Sequence, residues 1–582
     1  MDGGGARTLG RRAALALAVL LPAVLFALYG YSRRWIGDDG FINLRVVSQL
    51  LAGNGFVYNA GDRSEAVTSP AWIALLWLAG ALGARLEDAA WLIGLVLSVA
   101  GVAASACAAL LALSPAQRHE RWFLPFGLLA YVSLPAAWDY ATSGLENGLG
   151  LSFLGACTCL VVRARASGAH PRRAAGAAFA LSFAALIRPD YVLLVAPLLA
   201  SVCLLARGWR RFALAVLGVS GALAYQLFRM GYFASVVPNT ALAKRAFELS
   251  WGQGRHYLWN TLGVYWLLVP LAAVALTLAW ELRSSARDQG STPSCLVAGG
   301  LLHLAYIVSM GGDFMHARLL LPGLFALFSA VPLLGFGPGE PRARRGASVL
   351  AGAVLYAWCI VCAIGLRVAT KNEFGIGDER GWYARMAMVA HPTRIEHYAQ
   401  FIFYRDAVNL RDRIQRRCNA DRCVRSLYTR KEDGKLSDNS PSAELPLADD
   451  VSEYAIAAVA YRPLGIVSAV LGTRIHVVDY YGLADPIAAR LTVTRQYRPG
   501  HDKVFDTAWQ AARYARPDST DDPGALAARD ALSCGLLAQF NRATRGPLGV
   551  GRFLQNIVLA LRASRLEIPP NPFEAQSEFC DP

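Results

Sequence analysis

The sequence has 582 residues, of which 55% are hydrophobic, and its mean hydropathy is +0.34. A chain this apolar, with runs long enough to cross a hydrocarbon core of about 30 Å, is not an ordinary soluble protein. The net charge of +15 does not indicate a nucleic-acid partner. Residues 1–367 carry 29 Lys and Arg against 16 Asp and Glu, whereas residues 368–582 carry 28 against 26.

The excess positive charge lies in short loops between apolar runs, which face the cytoplasm under the positive-inside rule. These loops contain Arg118, Arg121, Arg163, Arg165, Arg172, Arg173, Arg207, Arg210, Arg211, Arg283, Arg287, Arg342, Arg344 and Arg345. The first apolar run, 13–30, follows basic residues and lacks a small-residue cleavage site. It predicts a retained membrane anchor, with a cleaved signal peptide as the alternative.

About twelve apolar segments are candidate membrane helices. They are 13–30, 69–84, 88–113, 122–135, 145–161, 173–187, 190–206, 212–229, 258–282, 295–310, 316–338 and 346–367. If the N-terminus and the basic loops are inside and the tail is outside, the number of crossings is odd. We therefore expect about eleven spans, with 69–84 or 122–135 not crossing fully. This predicts a polytopic α-helical membrane protein.

The composition changes beyond residue 367. Alternating runs at 454–461 and 473–478 predict strands, and 524–539 and 553–563 predict helices. We expect two domains: a transmembrane domain at 1–367, with a first external loop at 31–68, and an extracytoplasmic mixed α/β domain at 368–582. The second domain is interpreted either as a carbohydrate-binding module or as a lid over the membrane site.

Four cysteines fall in this tail, at positions 418, 423, 534 and 580. An even number of cysteines outside the cytoplasm favours two disulfides, most simply Cys418–Cys423 and Cys534–Cys580, although three pairings are possible. A metal site at the first pair is the alternative, but no histidine follows at a suitable spacing.

The most informative polar pattern comes directly after the first apolar run, where Asp38 and Asp39 lie side by side. A carboxylate at a membrane surface can act as a general base toward a sugar hydroxyl, or can hold a divalent cation against a phosphate leaving group. The run that follows, 41–51, is amphipathic and predicts a helix in the plane of the interface. The alternative reading is that both acids only solvate a helix end.

The order of these elements resembles a known family. After the first helix come Asp38-Asp39-Gly40, the in-plane helix, Gly53-Asn54-Gly55, Glu65-Ala66-Val67-Thr68-Ser69, Ala141-Thr142-Ser143-Gly144-Leu145-Glu146, Arg188-Pro189-Asp190, Pro238-Asn239-Thr240, Gly311-Gly312-Asp313-Phe314-Met315-His316-Ala317-Arg318 and Gly482-Leu483-Ala484-Asp485-Pro486. The ordered set resembles the polyprenyl-phosphate-dependent glycosyltransferases of the GT-C superfamily. In particular, it is similar to the terminal β-(1→2)-arabinofuranosyltransferases of mycobacterial and corynebacterial cell-wall synthesis.

The resemblance implies a plasma-membrane enzyme with its active site on the extracytoplasmic (periplasmic) face. It would transfer arabinofuranose from decaprenyl-phosphoryl-arabinose to the non-reducing ends of arabinan in arabinogalactan or lipoarabinomannan. Asp38 or Asp39 would be the catalytic carboxylate. The substrate-binding residues would be Glu65, Thr68, Asp139, Ser143, Glu146, Arg188, Arg229, Lys244, Asp313, His316 and Arg318.

The cofactor and two alternative functions stay open at this point. No cofactor is fixed by the sequence, and a divalent cation (Mg²⁺, Mn²⁺ or Ca²⁺) would be held by Asp38 and Asp39 if one is used. The first alternative function is transfer of another polyprenyl-linked sugar, such as mannose or aminoarabinose, to glycan, protein or lipid. The second is a transporter, which is disfavoured because the charges concentrate in the outer loops and no internal repeat is evident.

Overall fold

A computed structural model of the chain describes residues 3–166, 170–284, 291–336, 342–368, 374–419, 422–429, 442–493 and 501–581. The helices are α1 Gly3–Ser32, α2 Asp38–Leu51, α3 Pro70–Ala81, α4 Leu86–Leu111, α5 Pro115–Glu120, α6 Gly127–Val132, α7 Pro135–Ala141, α8 Asn147–Ala166, α9 Pro171–Leu181, α10 Ala184–Ile187, α11 Tyr191–Cys203, α12 Trp209–Phe233, α13 Asn239–Ala243, α14 Trp251–Val264, α15 Leu268–Ser284, α16 Ser291–Ser309, α17 Leu321–Phe328, α18 Arg342–Ile364, α19 Glu379–Ala387, α20 Ile402–Arg417, α21 Asp449–Ser452, α22 Gly465–Leu471, α23 Thr507–Tyr514, α24 Pro523–Ser533, α25 Gly535–Thr544, α26 Val550–Arg562 and α27 Pro572–Cys580. The strands are β1 Trp122–Pro125, β2 Leu333–Phe336, β3 Cys418–Asn419, β4 Arg422–Cys423, β5 Ser426–Thr429, β6 Ala443–Pro446, β7 Ala457–Tyr461 and β8 Ile475–Asp479.

The chain is a multi-pass membrane protein by the length and apolarity of its helices. Among the described residues, six helices can cross a bilayer: Ala13–Ser32, Leu86–Leu111, Asn147–Ala166, Trp209–Phe233, Thr292–Ser309 and Arg345–Ile364. A seventh span is obtained if α14 and α15, which are bent by 86° relative to each other, count as one. The expected eleven spans are not confirmed. Helices α3 and α11 have 12 and 13 residues, and at 1.5 Å per residue they are shorter than the hydrocarbon core.

Two of the expected membrane helices contain a short strand. Segment 122–135 contains β1 and the short helix α6, and segment 316–338 contains α17 and β2. The two strands pair with each other in antiparallel register, from Trp122 opposite Phe336 to Pro125 opposite Leu333. Apolarity alone did not distinguish a buried strand from a buried helix in these segments.

The described contacts divide the chain into two compact units, each made of three separate stretches. The helical unit comprises Met1–Trp35, Ala90–Leu223 and Leu249–Trp382, and the mixed unit comprises Ile36–Ala89, Ala224–Glu248 and Tyr383–Pro582. The expected domain boundary at 367/368 therefore differs from this division. The mixed unit contains most of the tail, but it also contains most of the predicted first external loop.

In the helical unit, glycines allow neighbouring helices to approach closely. A Cβ on Gly148 of α8 would lie 2.1 Å from the carbonyl oxygen of Gly94 in α4. A Cβ on Gly299 of α16 would lie 2.2 Å from the carbonyl oxygen of Leu194 in α11. Small residues at such crossings are typical of membrane helices, whose association depends on close van der Waals packing.

The mixed unit is built on a four-stranded sheet with the order β6-β5-β7-β8. Strands β5, β7 and β8 are parallel, and β6 is antiparallel to β5. The predicted strands at 454–461 and 473–478 are confirmed as β7 and β8, which are buried along their whole length. The predicted helix at 524–539 is two helices, because α24 ends at Ser533 and α25 begins at Gly535.

Helix α2, which was predicted to lie in the plane of the interface, is largely buried within the mixed unit. All residues from Gly40 to Val47 are buried, and α2 packs against α3 and α22 within the mixed unit. The amphipathic pattern of 41–51 did not predict this burial, because Asn43 and Arg45 on the polar side of the helix are buried as well. In the tail, Cys418 is bonded to Cys423 and Cys534 to Cys580.

Candidate functional site

Asp38 is the first residue of α2, and Asp39 is the second. Acids favour the first turn of a helix because the unpaired N–H groups and the helix dipole are positive there. The Asp38 carboxylate also reaches a second helix. Its Oδ1 accepts a hydrogen bond from the Ile466 N–H at 2.7 Å, and its Oδ2 accepts one from the Gly465 N–H at 3.0 Å.

Gly465 is required for this close approach. A Cβ at that position would lie 1.8 Å from the backbone oxygen of Asp38, which no real side chain could tolerate without a shift. Tyr58 supports the same turn, because its hydroxyl donates to the Leu464 carbonyl at 3.0 Å. The Asp38 carboxylate is therefore fixed in direction by the backbone around the start of α22.

The pKa of Asp38 is raised to about 6. Burial is the largest cause, because it disfavours the charged form, and the negative charge of Asp39 adds to it. The amide hydrogen bonds from Ile466 and Gly465 act in the opposite direction and keep the rise moderate. A carboxylate with a pKa close to working pH suits a general base. Asp39 is half-buried beside it.

A metal ion at this carboxylate pair would need further ligands. Within the described stretches of the chain, no group of three or more His, Cys, Asp or Glu side chains is placed to hold a metal. Both carboxylate oxygens of Asp38 already accept backbone N–H groups. The residues present therefore do not fit a site with three protein ligands, and we derive no catalytic step through a cation.

Glu65 lies in the mixed unit in a closed cluster with Arg229 and Tyr225 of α12. Arg229 donates from Nε to Glu65 Oε2 at 2.6 Å, and the Tyr225 hydroxyl donates to Oε1 at the same distance. Glu65 is 3% exposed and Arg229 is 6% exposed. These contacts connect the first loop to α12. The charges of Glu65 and Arg229 are therefore paired with each other.

Two other expected residues of the mixed unit are placed differently. Thr68 is half-buried, and the next residue, Ser69, caps α3 by accepting from the Trp72 N–H. Lys244 is half-buried at the C-terminus of α13. It makes no ion pair with any other residue that the structure describes.

In the helical unit, several of the expected residues form a network of ion pairs that begins at Glu146, the residue before α8. Arg188 donates to Glu146 Oε1 at 2.7 Å and to Asp190 Oδ1 at 3.0 Å. The other oxygen of Asp190 lies 2.9 Å from Nε2 of His303 in α16. Burial opposes ionisation of Glu146, but Arg188 and Arg318 outweigh it and hold its pKa below the usual value.

The ion-pair network continues through Arg318, whose guanidinium lies 3.8 Å from Glu146 and 3.4 Å from Asp313. His316 is next to this pair and is 3% exposed. Its Nδ1 contacts Asn260 Oδ1 at 2.5 Å, and burial lowers its pKa to about 3. His316 is therefore neutral at physiological pH.

Asp139 and Ser143 follow in the same unit. Arg33 donates to both oxygens of Asp139, at 2.5 and 2.9 Å, and Arg380 lies 3.7 Å away. The Ser143 hydroxyl is buried and donates weakly to the Tyr140 carbonyl at 3.4 Å. The structure thus joins Glu146, Arg188, Asp313 and Arg318 in one network, and it places Asp139 in a separate ion pair.

Comparison with known proteins gives long matches. A terminal β-(1→2)-arabinofuranosyltransferase of Mycobacterium tuberculosis is 32% identical, and the match covers 96% of both chains. The same-named protein of Corynebacterium glutamicum is 33% identical, with 96% of this chain and 87% of the relative covered. The chain belongs to the terminal β-(1→2)-arabinofuranosyltransferase family.

Two further similarities accompany this assignment. The AftB family C-terminal domain matches residues 406–578. The structure is also similar to ArnT from Cupriavidus metallidurans bound to undecaprenyl phosphate, with 16% identity and a TM-score of 0.41, over 69% of this chain and 72% of that one. As a member of the arabinofuranosyltransferase family, the chain is a glycosyltransferase.

Several polar residues of this arabinofuranosyltransferase were missed by sequence reasoning. Arg45 is buried in α2 and donates to five oxygens, including the carbonyls of Tyr58 at 2.8 Å and Ile475 at 2.8 Å. Arg513 is fully buried and bridges Asp62 to Asp485 at 2.9 and 3.0 Å. The only sequence signal for these residues was a charge within an otherwise apolar run.

Asp485 belongs to one of the tail motifs that carry the family resemblance. It is 2% exposed and accepts from Ile487 N–H, Ala488 N–H and Arg513. Asn239 donates to the Gly482 and Asp485 carbonyls at 2.9 and 3.0 Å. In the structure, these two motifs of the family hold each other in place.

Proposed function

We propose that the chain transfers arabinofuranose from decaprenyl-phosphoryl-arabinose to the non-reducing ends of cell-wall arabinan, in arabinogalactan or lipoarabinomannan. The observation that carries this proposal is the 32% identity to a terminal arabinofuranosyltransferase across 96% of both chains. A match over the whole length includes both units, so it is not a shared domain on an unrelated enzyme. We place the reaction at the extracytoplasmic face of the plasma membrane, opposite the basic loops.

Asp38 is the carboxylate that we assign to catalysis. Two amide donors fix its direction at 2.7 and 3.0 Å, so it needs no rearrangement before reacting. Its pKa of about 6 leaves it mostly ionised at pH 7 and able to accept the proton of an attacking sugar hydroxyl. The phosphate of the donor is already a good leaving group, so a positioned base supplies what the acceptor lacks.

Asp39 is assigned a supporting role. Its negative charge is one cause of the raised pKa of Asp38, as expected for neighbouring carboxylates. Exchange of Asp39 for asparagine should therefore shift the pH dependence of transfer to a lower pH and leave the reaction itself in place. This difference in the pH profile separates the roles of the two acids.

The test is a membrane assay with labelled decaprenyl-phosphoryl-arabinose and a short arabinan acceptor, followed by linkage analysis of the product. Formation of a terminal β-(1→2)-arabinofuranosyl residue supports the proposal. If the protein turns over a prenyl-linked mannose or aminoarabinose and does not turn over the arabinose donor, the arabinofuranosyltransferase proposal is wrong. The alternative, transfer of another polyprenyl-linked sugar, would then take its place. Addition of EDTA to the same assay decides whether a divalent cation takes part.

A further inference from the structure

The helical unit contains a cavity of about 590 Å³ that the proposed reaction does not use. It is bounded by the C-terminal ends of α4, α8 and α15, by the N-terminal end of α16 and by the segment between α17 and β2. Its volume is within the range of small-ligand pockets. Nothing in the family's ordered motifs falls within its lining.

The cavity lies at the opposite end of the helices from the ion-pair network. Glu146 directly precedes α8, and Arg165 is the second-last residue of that helix. Over 20 residues, a rise of 1.5 Å per residue separates the two ends by about 30 Å, which is one hydrocarbon core. Helix α16 shows the same polarity, since Thr292 lines the cavity and Ser309 at its other end precedes the Asp313 segment.

The lining of the cavity combines charged and apolar side chains. Arg121 and Arg165 line it, are half-buried, and make no ion pair with any residue that the structure describes. Glu281 lines it as well. Most of the other lining side chains are small or branched and apolar, among them Ala108, Ala109, Leu278 and Leu282.

The interior also contains a polar atom without a partner. Ser329 ends α17 and lines the cavity, and its buried hydroxyl finds no hydrogen-bond partner among the described residues. Buried polar groups are normally hydrogen-bonded, so an unpaired one at a cavity wall indicates a ligand or water contact. The cavity lining thus offers two arginines, an apolar wall and one buried hydroxyl.

We propose that this cavity binds a membrane lipid whose headgroup is a phosphodiester with a single net negative charge. Arg121 and Arg165 hold the phosphate, because a guanidinium gives paired, charge-assisted hydrogen bonds to phosphate oxygens. An acyl segment occupies the wall of alanines and leucines, and an ester oxygen accepts from Ser329. With Arg121, Arg165 and Glu281 in the lining, the charged side chains sum to a net charge of about +1, which favours one negative charge on the lipid over two.

The experiment measures retention of phosphatidylglycerol by the full-length detergent-purified protein in native mass spectrometry. Phosphatidylcholine and inorganic phosphate are separate probes. We expect the double variant Arg121→Gln/Arg165→Gln to weaken phosphatidylglycerol binding about tenfold or more, since each lost charge-assisted contact is substantial. Arg163→Gln is the matched control, because Arg163 is exposed two residues before Arg165 and does not line the cavity.

Two further variants keep the proposal testable if the double variant folds poorly. Ala109→Phe fills the cavity and should reduce lipid retention while both arginines remain. Glu281→Gln should strengthen binding of phosphatidylglycerol. Equal retention of phosphatidylcholine would overturn the headgroup assignment, and equal stabilisation by inorganic phosphate would overturn the acyl assignment. Unchanged lipid retention in Ala109→Phe and in the double variant would reject the site altogether.

Discussion

The helical unit and the mixed unit stabilise their buried charges in different ways. In the helical unit, charges pair with charges: Glu146 and Asp190 both contact Arg188. In the mixed unit, buried charges are stabilised in two ways. Glu65 pairs with Arg229 and Asp62 pairs with Arg513, whereas Asp38 accepts from two backbone N–H groups and Arg45 donates to carbonyl oxygens.

The difference follows from what each kind of structure leaves available. Glu146, Arg188 and Asp190 lie at the ends of helices, whose backbone N–H and C=O groups are mostly used internally, and each of these buried charges pairs with an opposite charge. Short strands, turns and seven-residue helices such as α22 leave N–H and C=O groups unused, and these can bind a carboxylate or a guanidinium. A charge held by the backbone keeps its direction without being neutralised, which suits a reactive group.

The largest effect is expected for Asp38→Asn in the mixed unit. Loss of the oriented base should reduce transfer about 10²- to 10⁴-fold. The measurement is the transfer assay, with donor binding and thermal unfolding as checks that the protein is intact. Asp39→Asn is the matched neighbour and should retain most of the activity. If both variants transfer at the wild-type rate, the catalytic assignment is wrong.

The pH profile of the wild-type protein is a second test of the role of Asp38. The ionised form of Asp38 is the base, so activity should fall as the pH drops through about 6. Stability moves the other way for this group. Its pKa in the folded protein is raised above the ordinary value of 3.8, so protonation favours the folded state. We therefore expect the activity to decline at pH 5 while the melting temperature at that pH does not fall. Such a result would assign the decline to protonation of the active site and not to unfolding.

In the helical unit, Glu146→Gln should have the next largest effect, on stability. It leaves Arg188 and Arg318 with less neutralising charge in a buried place, and such a loss typically costs about 3–5 kcal/mol. Denaturation in detergent measures the change. The double variant Glu146→Gln/Arg188→Gln should be less destabilised than the sum of its single variants, because the lone charge is removed as well. Strict additivity would contradict the pairing.

Gly465→Ala tests the backbone arrangement around Asp38. The new Cβ has no room beside the Asp38 backbone oxygen, and overpacking of this kind costs about 1–3 kcal/mol. Because the shift moves the amide donors, we also expect a higher apparent pKa in the activity profile. Gly549→Ala is the control, since nothing lies within 4 Å of a Cβ there. Equal behaviour of the two variants would show that the close approach is unimportant.

Lys244→Gln should have a moderate effect on binding. Of the four cations that the family resemblance points to, Arg188, Arg229 and Arg318 contact acids, whereas Lys244 pairs with none of the described residues. If Lys244 binds the donor phosphate, its loss should raise KM for the donor about tenfold with little change in kcat. Arg245→Gln is a suitable control, because Arg245 is engaged by Glu248. An unchanged KM would leave the phosphate to other groups.

The smallest effect is expected for Arg85→Gln, which breaks an exposed pair with Glu396. Its pairing distance of 2.7 Å is as short as that between Arg188 and Glu146. Both partners of the surface pair are open to solvent, however, and such pairs contribute little to stability. Thermal unfolding should be unchanged within error. A large loss would show that distance alone, and not burial, decides what a pair contributes.

The sequence indicated Asp38 and Asp39 as a candidate pair, but it did not indicate which residues surround them. Asp38 and Asp39 were recognisable from their place after the first apolar run, and β7 and β8 from their alternating pattern. The amide donors to Asp38 are 427 and 428 residues away in the chain, and no local pattern carries such a pairing. The roles of Arg45 and Arg513 were hidden for the same reason.

The errors at the membrane helices have a different physical origin. A short strand such as β1, which consists of apolar residues, has the same hydropathy as a helix of that composition. Glu65, which was expected to bind substrate, and Asp485, which belongs to a tail motif, make internal contacts, because a loop that is packed under other segments must satisfy its charges within the protein. The motifs predicted that these residues matter, but their role came from the three-dimensional contacts.

The mixed unit is assembled from stretches that leave the ribosome at very different times. Asn59 exchanges hydrogen bonds with Val477, which is 418 positions later, and Arg513 closes on Asp62 later still. During synthesis, the N-terminal stretch that contains Asn59 and Asp62 therefore lacks its hydrogen-bonding partners until nearly the whole chain has been made. A premature stop anywhere before α22 would leave Asp38 without the turn that orients it, so truncated products should be both inactive and prompt targets for degradation.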